Sequence, residues 1–196
     1  MSVKGRSDGR DRQKQIIDVS LDIIDKDGIH GLTLKKIGAA IGISDAALLR
    51  HFRSKEEIVE AMAQKVFFEN VVDEDDPSEE SAEGKLSSLF RRQFTIFDAF
   101  PQSTAVLFQE DIFREYPEVR KWFITRRNER QQRIAALVKK GQDLGEVDPA
   151  IDPGAFATAL MGTMRMAVMD WRDSGYSYRL EDRAGPLLDV MLKMIR

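Results

Sequence analysis

The chain has 196 residues, of which 42% are hydrophobic and 32% charged, with a formal net charge of −3. That balance is ordinary for a folded globular protein and excludes a globally disordered one. The absence of cysteine excludes disulfides and thiolate metal sites, and no segment approaches the roughly 18 apolar residues needed to span a bilayer.

The charge is unevenly placed. Residues Met1–Lys55 carry 11 Lys/Arg against 7 Asp/Glu, a balance of +4, and the remainder carries 19 against 26, a balance of −7. A basic amino-terminal module on an acidic body fits a phosphate-facing end. A cysteine-free composition also suits the reducing cytoplasm, where the protein is expected to work.

Nearly every segment carries the helical period and none sustains a strand alternation, so the fold is expected to be all-α with about nine helices. The opening MSVKGRSDGRDRQKQ reads as a mobile basic arm. Helix one follows from about Asp11 to Lys26, with an apolar stripe of Ile16, Ile17, Leu21, Ile23 and Ile24, and Gly28 and Gly31 punctuate its end. Thr33 is placed to cap a second helix, Leu34 to Ile41, and Ser44 a third, Asp45 to His51. The turn between them is Gly42-Ile43-Ser44. Ser54 with Glu57 forms a capping box opening helix four, which is expected to reach about Val72.

Residues Asp73–Glu83 hold seven acidic side chains in eleven positions and read as a loop. Further helices are predicted over Gly84–Phe100, Gln102–Glu110 and Pro117–Leu144, the last starting on a proline suited to a helix N-terminus. The final two are predicted over Gly154–Ser174 and Leu180–Ile195. The domains are expected to be 1–55, a three-helix DNA-binding head, and 56–196, a helical ligand-binding and dimerisation body.

A short helix, a glycine turn and a second short helix are the elements of a helix-turn-helix, which presents its second helix to the DNA major groove. Ile37 and Ile41 form the inward face of helix two, and Gly38 is small enough for helix three to cross closely. Ala47, Leu48 and Phe52 point inward from helix three. Asp45, Ala46, Leu49 and Arg50 then lie on or near its exposed face, with His51 at the edge. Lys35, Lys36, Arg53 and Lys55 flank that face as cations within reach of phosphate. Asp45 suits a cytosine amino group, and its charge equally suits the positive end of the helix dipole.

The string Gly31–Met62, GLTLKKIGAAIGISDAALLRHFRSKEEIVEAM, resembles the amino-terminal domain of the TetR family of bacterial transcriptional regulators. The matching elements are Leu32-Thr33, Ile37, Gly42-Ile43-Ser44, Leu48, His51-Phe52 and Ser54-Lys55-Glu56. The resemblance implies that Thr33, Lys35, Ser44, His51 and Lys55 contact phosphate. It implies that Asp45, Ala46, Ala47 and Arg50 lie nearest the bases. Leu49 stands where the family usually has a phosphate-donating tyrosine, Ala46 where glycine is frequent, and Gly38 where alanine is usual. The family also implies a homodimer through the two carboxy-terminal helices, and a double-stranded, pseudo-palindromic DNA operator from which a small-molecule effector releases the repressor.

In the body, Phe156, Leu160, Thr163, Met164, Ala167, Val168 and Trp171 recur at three- and four-residue steps along helix eight. Ala184, Leu187, Leu188, Met191, Met194 and Ile195 do the same along helix nine. Met161, Met166 and Met169 lie off the main stripe and favour a partner surface. The aromatic-rich middle builds a core, and a mostly apolar effector pocket draws on the same residues. The pocket candidates are Phe67, Phe94, Phe97, Phe108, Trp122, Phe123, Met164 and Trp171.

Arg126 and Arg130 interrupt the apolar face of helix seven. They reach solvent on their stems, or meet Glu110, Asp111 or an anionic ligand, which makes Arg126 a further ligand-binding candidate. The two histidines, His30 and His51, neighbour no nucleophile, and there is no HExxH, phosphate-binding glycine loop or GxSxG arrangement. No cofactor, metal or membrane is therefore expected. A ligand-responsive repressor is the leading reading; an architectural or non-inducible DNA binder and a helical small-molecule-binding enzyme are the alternatives.

Overall fold

A computed structural model describes residues 4–69, 81–108 and 114–195, and these are organised as nine α-helices with one 3-10 helix. They are α1 (Lys4–Gly31), α2 (Leu34–Ile41), α3 (Asp45–Leu48), α4 (Lys55–Glu69), α5 (Ala82–Ala99), α6 (Gln102–Phe108), α7 (Pro117–Asp143), α8 (Pro153–Asp173) and α9 (Ala184–Lys193). The 3-10 helix, Leu180–Arg183, runs directly into α9. The described residues form two compact units, one drawn from Met1–Glu69 and Gln102–Lys121, the other from Asn70–Pro101 and Trp122–Arg196.

In the first unit α1 packs against α2, α4 and α6. Ile16, Leu21 and Ile24 of α1, Ile37 of α2, Leu48 of α3 and Ile58, Val59, Met62, Ala63 and Val66 of α4 are fully buried. Each large aliphatic side chain removed from water contributes about 1.5–3 kcal/mol, so this apolar face accounts for the coherence of the head. Ser20 is buried among them because its hydroxyl donates to the Ile16 carbonyl at 2.7 Å. The Lys65 ammonium meets Asp18 at 2.5 Å and ties α4 to α1 at the edge of that face.

Two expectations for the amino-terminal segment are corrected. The reading of a basic arm fails from Lys4 onward, where the backbone is already helical. Helix one also does not stop at Lys26: helical backbone extends to Gly31, interrupted at Gly28, whose φ of 70° and ψ of 179° are non-helical. A glycine tolerates that break without the steric cost a Cβ would bring. The reorientation lets Ile29 and Leu32 join the core.

In the second unit α5 packs against α9 and the 3-10 helix, which also contacts α8. Ser81 caps α5 by accepting from the Gly84 amide at 3.0 Å, so the helix begins at Ala82 and Glu83 is helical, not part of the expected loop. The rest of that acidic segment, 73–80, lies outside the described residues, as do the expected ends of helices four and six beyond 69 and 108. Gly141 and Ala82 approach so closely that a Cβ on Gly141 would sit 2.8 Å from that of Ala82. Asp152 caps α8 by accepting from Ala155 at 2.6 Å, and Pro153 occupies its first turn.

Helix nine was expected to be continuous over Leu180–Ile195. Instead the Asp98 carboxylate accepts from the amides of Leu180 at 2.7 Å and Glu181 at 2.8 Å, holding the first turn in the tighter 3-10 form. Its inward stripe is buried at Ala184, Leu188, Met191 and Ile195, but Met194 is exposed.

Candidate nucleic-acid interface

The head is built from caps outward. Thr33 is extended and its hydroxyl accepts from the Lys36 amide at 3.1 Å, which starts α2. Gly42, at φ 71°, ends α2 in the left-handed conformation, and the Ile43 amide donates to the Gly38 carbonyl at 2.9 Å. Ser44 then accepts from the Ala47 amide at 3.2 Å and starts α3. Three successive caps thus set the angle of the turn.

Gly38 does allow a close approach, but the neighbour is the turn itself. A Cβ there would lie 2.6 Å from the Ile43 carbonyl oxygen. Helix three is also shorter than expected, with α3 ending at Leu48. From there the chain continues as a turn, with His51 donating from its amide to Leu48 at 2.9 Å and Arg50 to Ala47 at 3.3 Å.

Leu48 and Phe52 are buried as expected, while Ala47 is half-exposed at the edge. Thr33, Lys35, Lys36, Ser44, Asp45, Ala46, Leu49 and Arg50 are exposed, and His51 and Lys55 are half-buried. Asp45, Ala46, Leu49 and Arg50 share one side of the helical turn. The cations Lys35, Arg53 and Lys55 belong to the same three-element segment. Positive charge around a narrow presenting face is the arrangement that neutralises phosphate while side chains reach base edges.

Two partners of this face were illegible in the sequence. Gln13 of α1 donates from its side-chain amide to the His51 carbonyl at 3.0 Å, bracing the end of the presenting turn. Asp27 of α1 holds the Lys36 ammonium at 3.0 Å, with both side chains about half exposed. Surface pairs of this kind contribute only about 0–1 kcal/mol, weak enough for Lys36 to exchange Asp27 for a phosphate.

The capping box differs by one residue from its expected form. Ser54 accepts from the Glu57 amide at 3.3 Å, but the Glu57 carboxylate accepts from the Arg53 amide, not from that of Ser54. Ser54 also bonds to the Glu56 carboxylate. That bond, followed by a backbone bond at Glu56 and the charge of Lys55, holds Glu56 below its ordinary pKa of 4.5. The segment linking the presenting turn to α4 is therefore well tied down.

Residues 16–62 match the sequence model of the family described as bacterial regulatory proteins, tetR family. That match makes the head a tetR-type amino-terminal domain. The likeness extends past the head: the fatty acid metabolism regulator protein of Bacillus subtilis strain 168 is 21% identical over 188 residues, covering 95% of this chain and 96% of that protein. Among solved structures, FadR from Bacillus subtilis, in complex with stearoyl-CoA, superposes with a TM-score of 0.73 at 20% identity, covering 93% of this chain and 99% of that one. AibR, solved with isovaleryl coenzyme A and operator DNA, superposes with a TM-score of 0.74 at 17% identity, covering 94% and 97%. Identities this low show a shared TetR fold.

The ligand-binding candidates divide between the units. Phe67 and Phe108 are half-buried in the first. In the second, Phe94, Phe97, Met164 and Trp171 are buried and Trp122 and Phe123 half-buried, with the Phe94 ring 4.6 Å from that of Phe90. The Trp171 indole donates to the Tyr178 carbonyl at 2.6 Å, so its polar edge is committed to the fold. Arg126 is exposed and pairs with Glu129 at 3.2 Å. Arg130 donates to the fully buried Gln93 of α5. Arg126 thus takes the solvent-facing alternative, and Arg130 finds a partner within the unit; Glu110 and Asp111 lie outside the described residues.

Proposed function

We propose that this chain is a ligand-responsive repressor of transcription that works as a homodimer in the cytoplasm on a pseudo-palindromic operator. The observation that carries the reading is the exposed face of Asp45, Ala46, Leu49 and Arg50, capped at Ser44 and braced by Gln13, within the stretch matched by the TetR model. Thr33, Lys35, Lys36, Ser44, His51 and Lys55 serve as phosphate contacts, and Asp45, Ala46, Ala47, Leu49 and Arg50 read the bases.

The dimer reading is supported by α8 and α9. Ala155, Ala159, Gly162, Met166 and Met169 form an exposed stripe on α8, and Pro186, Val190 and Met194 one on α9. Small residues interleaved with methionine allow a partner helix to approach closely and pack.

The effector is an acyl thioester of coenzyme A. A regulator of fatty acid metabolism is a relative over nearly the whole chain, and two fold neighbours were solved with acyl-CoA. The apolar candidates of the second unit, Phe94, Phe97, Trp122, Phe123 and Met164, suit an acyl chain. The effector must bind the released form better than the operator-competent form, since a ligand with equal affinity for both shifts nothing.

The test is selection of bound sequences from random duplex DNA at two salt concentrations, followed by release assays on the selected site. A two-fold-symmetric motif, released by acyl-CoA but not by coenzyme A itself, is expected. Salt-dependent binding without a motif would replace the reading with an architectural role, and a motif insensitive to every acyl-CoA would remove the effector class.

A further inference from the structure

Most of the surface that surrounds the presenting turn is polar, and one side chain is not. Among the described residues of the first unit, Leu49 alone of the large apolar side chains is exposed, at 43%. The other exposed large hydrophobics, Leu144, Met166, Met169, Val190 and Met194, all belong to the second unit.

Leu49 follows α3 directly, with helical φ and ψ and its amide bonded to the Asp45 carbonyl at 2.9 Å. It therefore stands one turn beyond Asp45 and three residues beyond Ala46, and the exposed Ala46 and Leu49 form one continuous apolar strip. Exposed Arg50 and Lys35 lie beside it in the same segment. An aliphatic side chain can neither donate to a phosphate nor accept from a base. The apolar group that a base pair offers in the major groove is the thymine 5-methyl.

We infer that Leu49, with Ala46 beside it, is a specificity-determining residue that selects thymine by burying its 5-methyl group at one position of each operator half-site. The inference rests on the DNA-binding reading above. Removing one methyl from an apolar contact weakens an equilibrium by about fourfold, so a symmetric pair in two half-sites is worth roughly fifteenfold.

The experiment uses the full-length protein and the site selected from random DNA. Each thymidine pair related by the two-fold axis is replaced in turn by deoxyuridine, which deletes only the methyl group, and Kd is measured by fluorescence anisotropy. For the parent protein one pair is expected to cost roughly fifteenfold. For Leu49→Ala, whose exposed position leaves the core intact, thymidine and deoxyuridine are expected to bind alike at that pair. Leu49→Tyr is expected to lose the same discrimination. No sensitive pair in the parent, or a sensitive pair that persists in Leu49→Ala, would overturn the inference while leaving the regulator reading standing. Failure of the parent to enrich any motif would remove the regulator reading itself, and this inference with it.

Discussion

At the scale of single residues, Gly38 shows how little space the head leaves. With 2.6 Å between a built Cβ and the Ile43 carbonyl oxygen, an alanine requires the backbone of the turn to move, because a carbonyl cannot swing aside as a side chain can. Gly38→Ala is expected to destabilise the protein by about 1–3 kcal/mol, as other overpacked positions do. Differential scanning calorimetry should show a fall of several degrees in Tm, and an unchanged Tm would mean that the turn yields freely. That Gly38 serves a close approach was legible in the sequence. What it approaches was not, since the Ile43 carbonyl comes from a turn whose geometry depends on Gly42 adopting a positive φ. Gln13 and Asp27 were harder still: nothing local links Gln13 to His51, 38 positions away.

At the scale of elements, capping residues placed most helix starts. Thr33, Ser44, Ser81 and Asp152 each accept from an amide three residues on, which is the bond a short side-chain oxygen makes at an N-terminus. Ser54 does the same at α4 and also holds Glu56. Glu56 has a depressed pKa, so its contribution to stability is present above the ordinary carboxylate range and lost as pH falls through the lowered value. Glu56→Gln is expected to be less stable than the parent at neutral pH, with the gap closing in acid below pH 4.5. Chemical denaturation of both proteins across pH would measure it, and a gap independent of pH would remove Glu56 from the cap. Helix ends were less legible. The break at Gly28 and the 3-10 turn before α9 arise from tertiary partners, in the second case the Asp98 carboxylate arriving from 82 residues away.

At the scale of the whole molecule, periodicity separated the inward faces of α8 and α9 from their outer ones. Phe156, Leu160, Met164, Val168 and Trp171 are buried, and the off-stripe Met166 and Met169 are exposed. Met194 changed sides because α9 ends at Lys193: the Met194 and Ile195 amides bond three residues back, to the Met191 and Leu192 carbonyls at 3.2 and 3.3 Å, so the last turn leaves the phase of the stripe. Its exposure enlarges the stripe assigned to the dimer. Met166→Glu combined with Val190→Glu is expected to yield a folded monomer in analytical ultracentrifugation, with helical content retained because both side chains are exposed. Operator affinity should fall with it, as half-sites would be bound one at a time. A persistent dimer would place the interface elsewhere.

The sequence by itself determined the all-α class, the helix-turn-helix and its fixed offsets, the caps at Thr33, Ser44 and Ser54, and the apolar stripes. These depend on contacts within about four residues, which local chemistry specifies. The tertiary structure alone decided how that chemistry was used: that basic residues before Asp11 extend α1, that Asp27 holds Lys36, that Gln93 meets Arg130, and that Trp171 spends its indole hydrogen on Tyr178. Each joins positions brought together only when apolar faces bury one another. Hydrophobic burial is non-directional and leaves the pairing of polar groups to the geometry of packing.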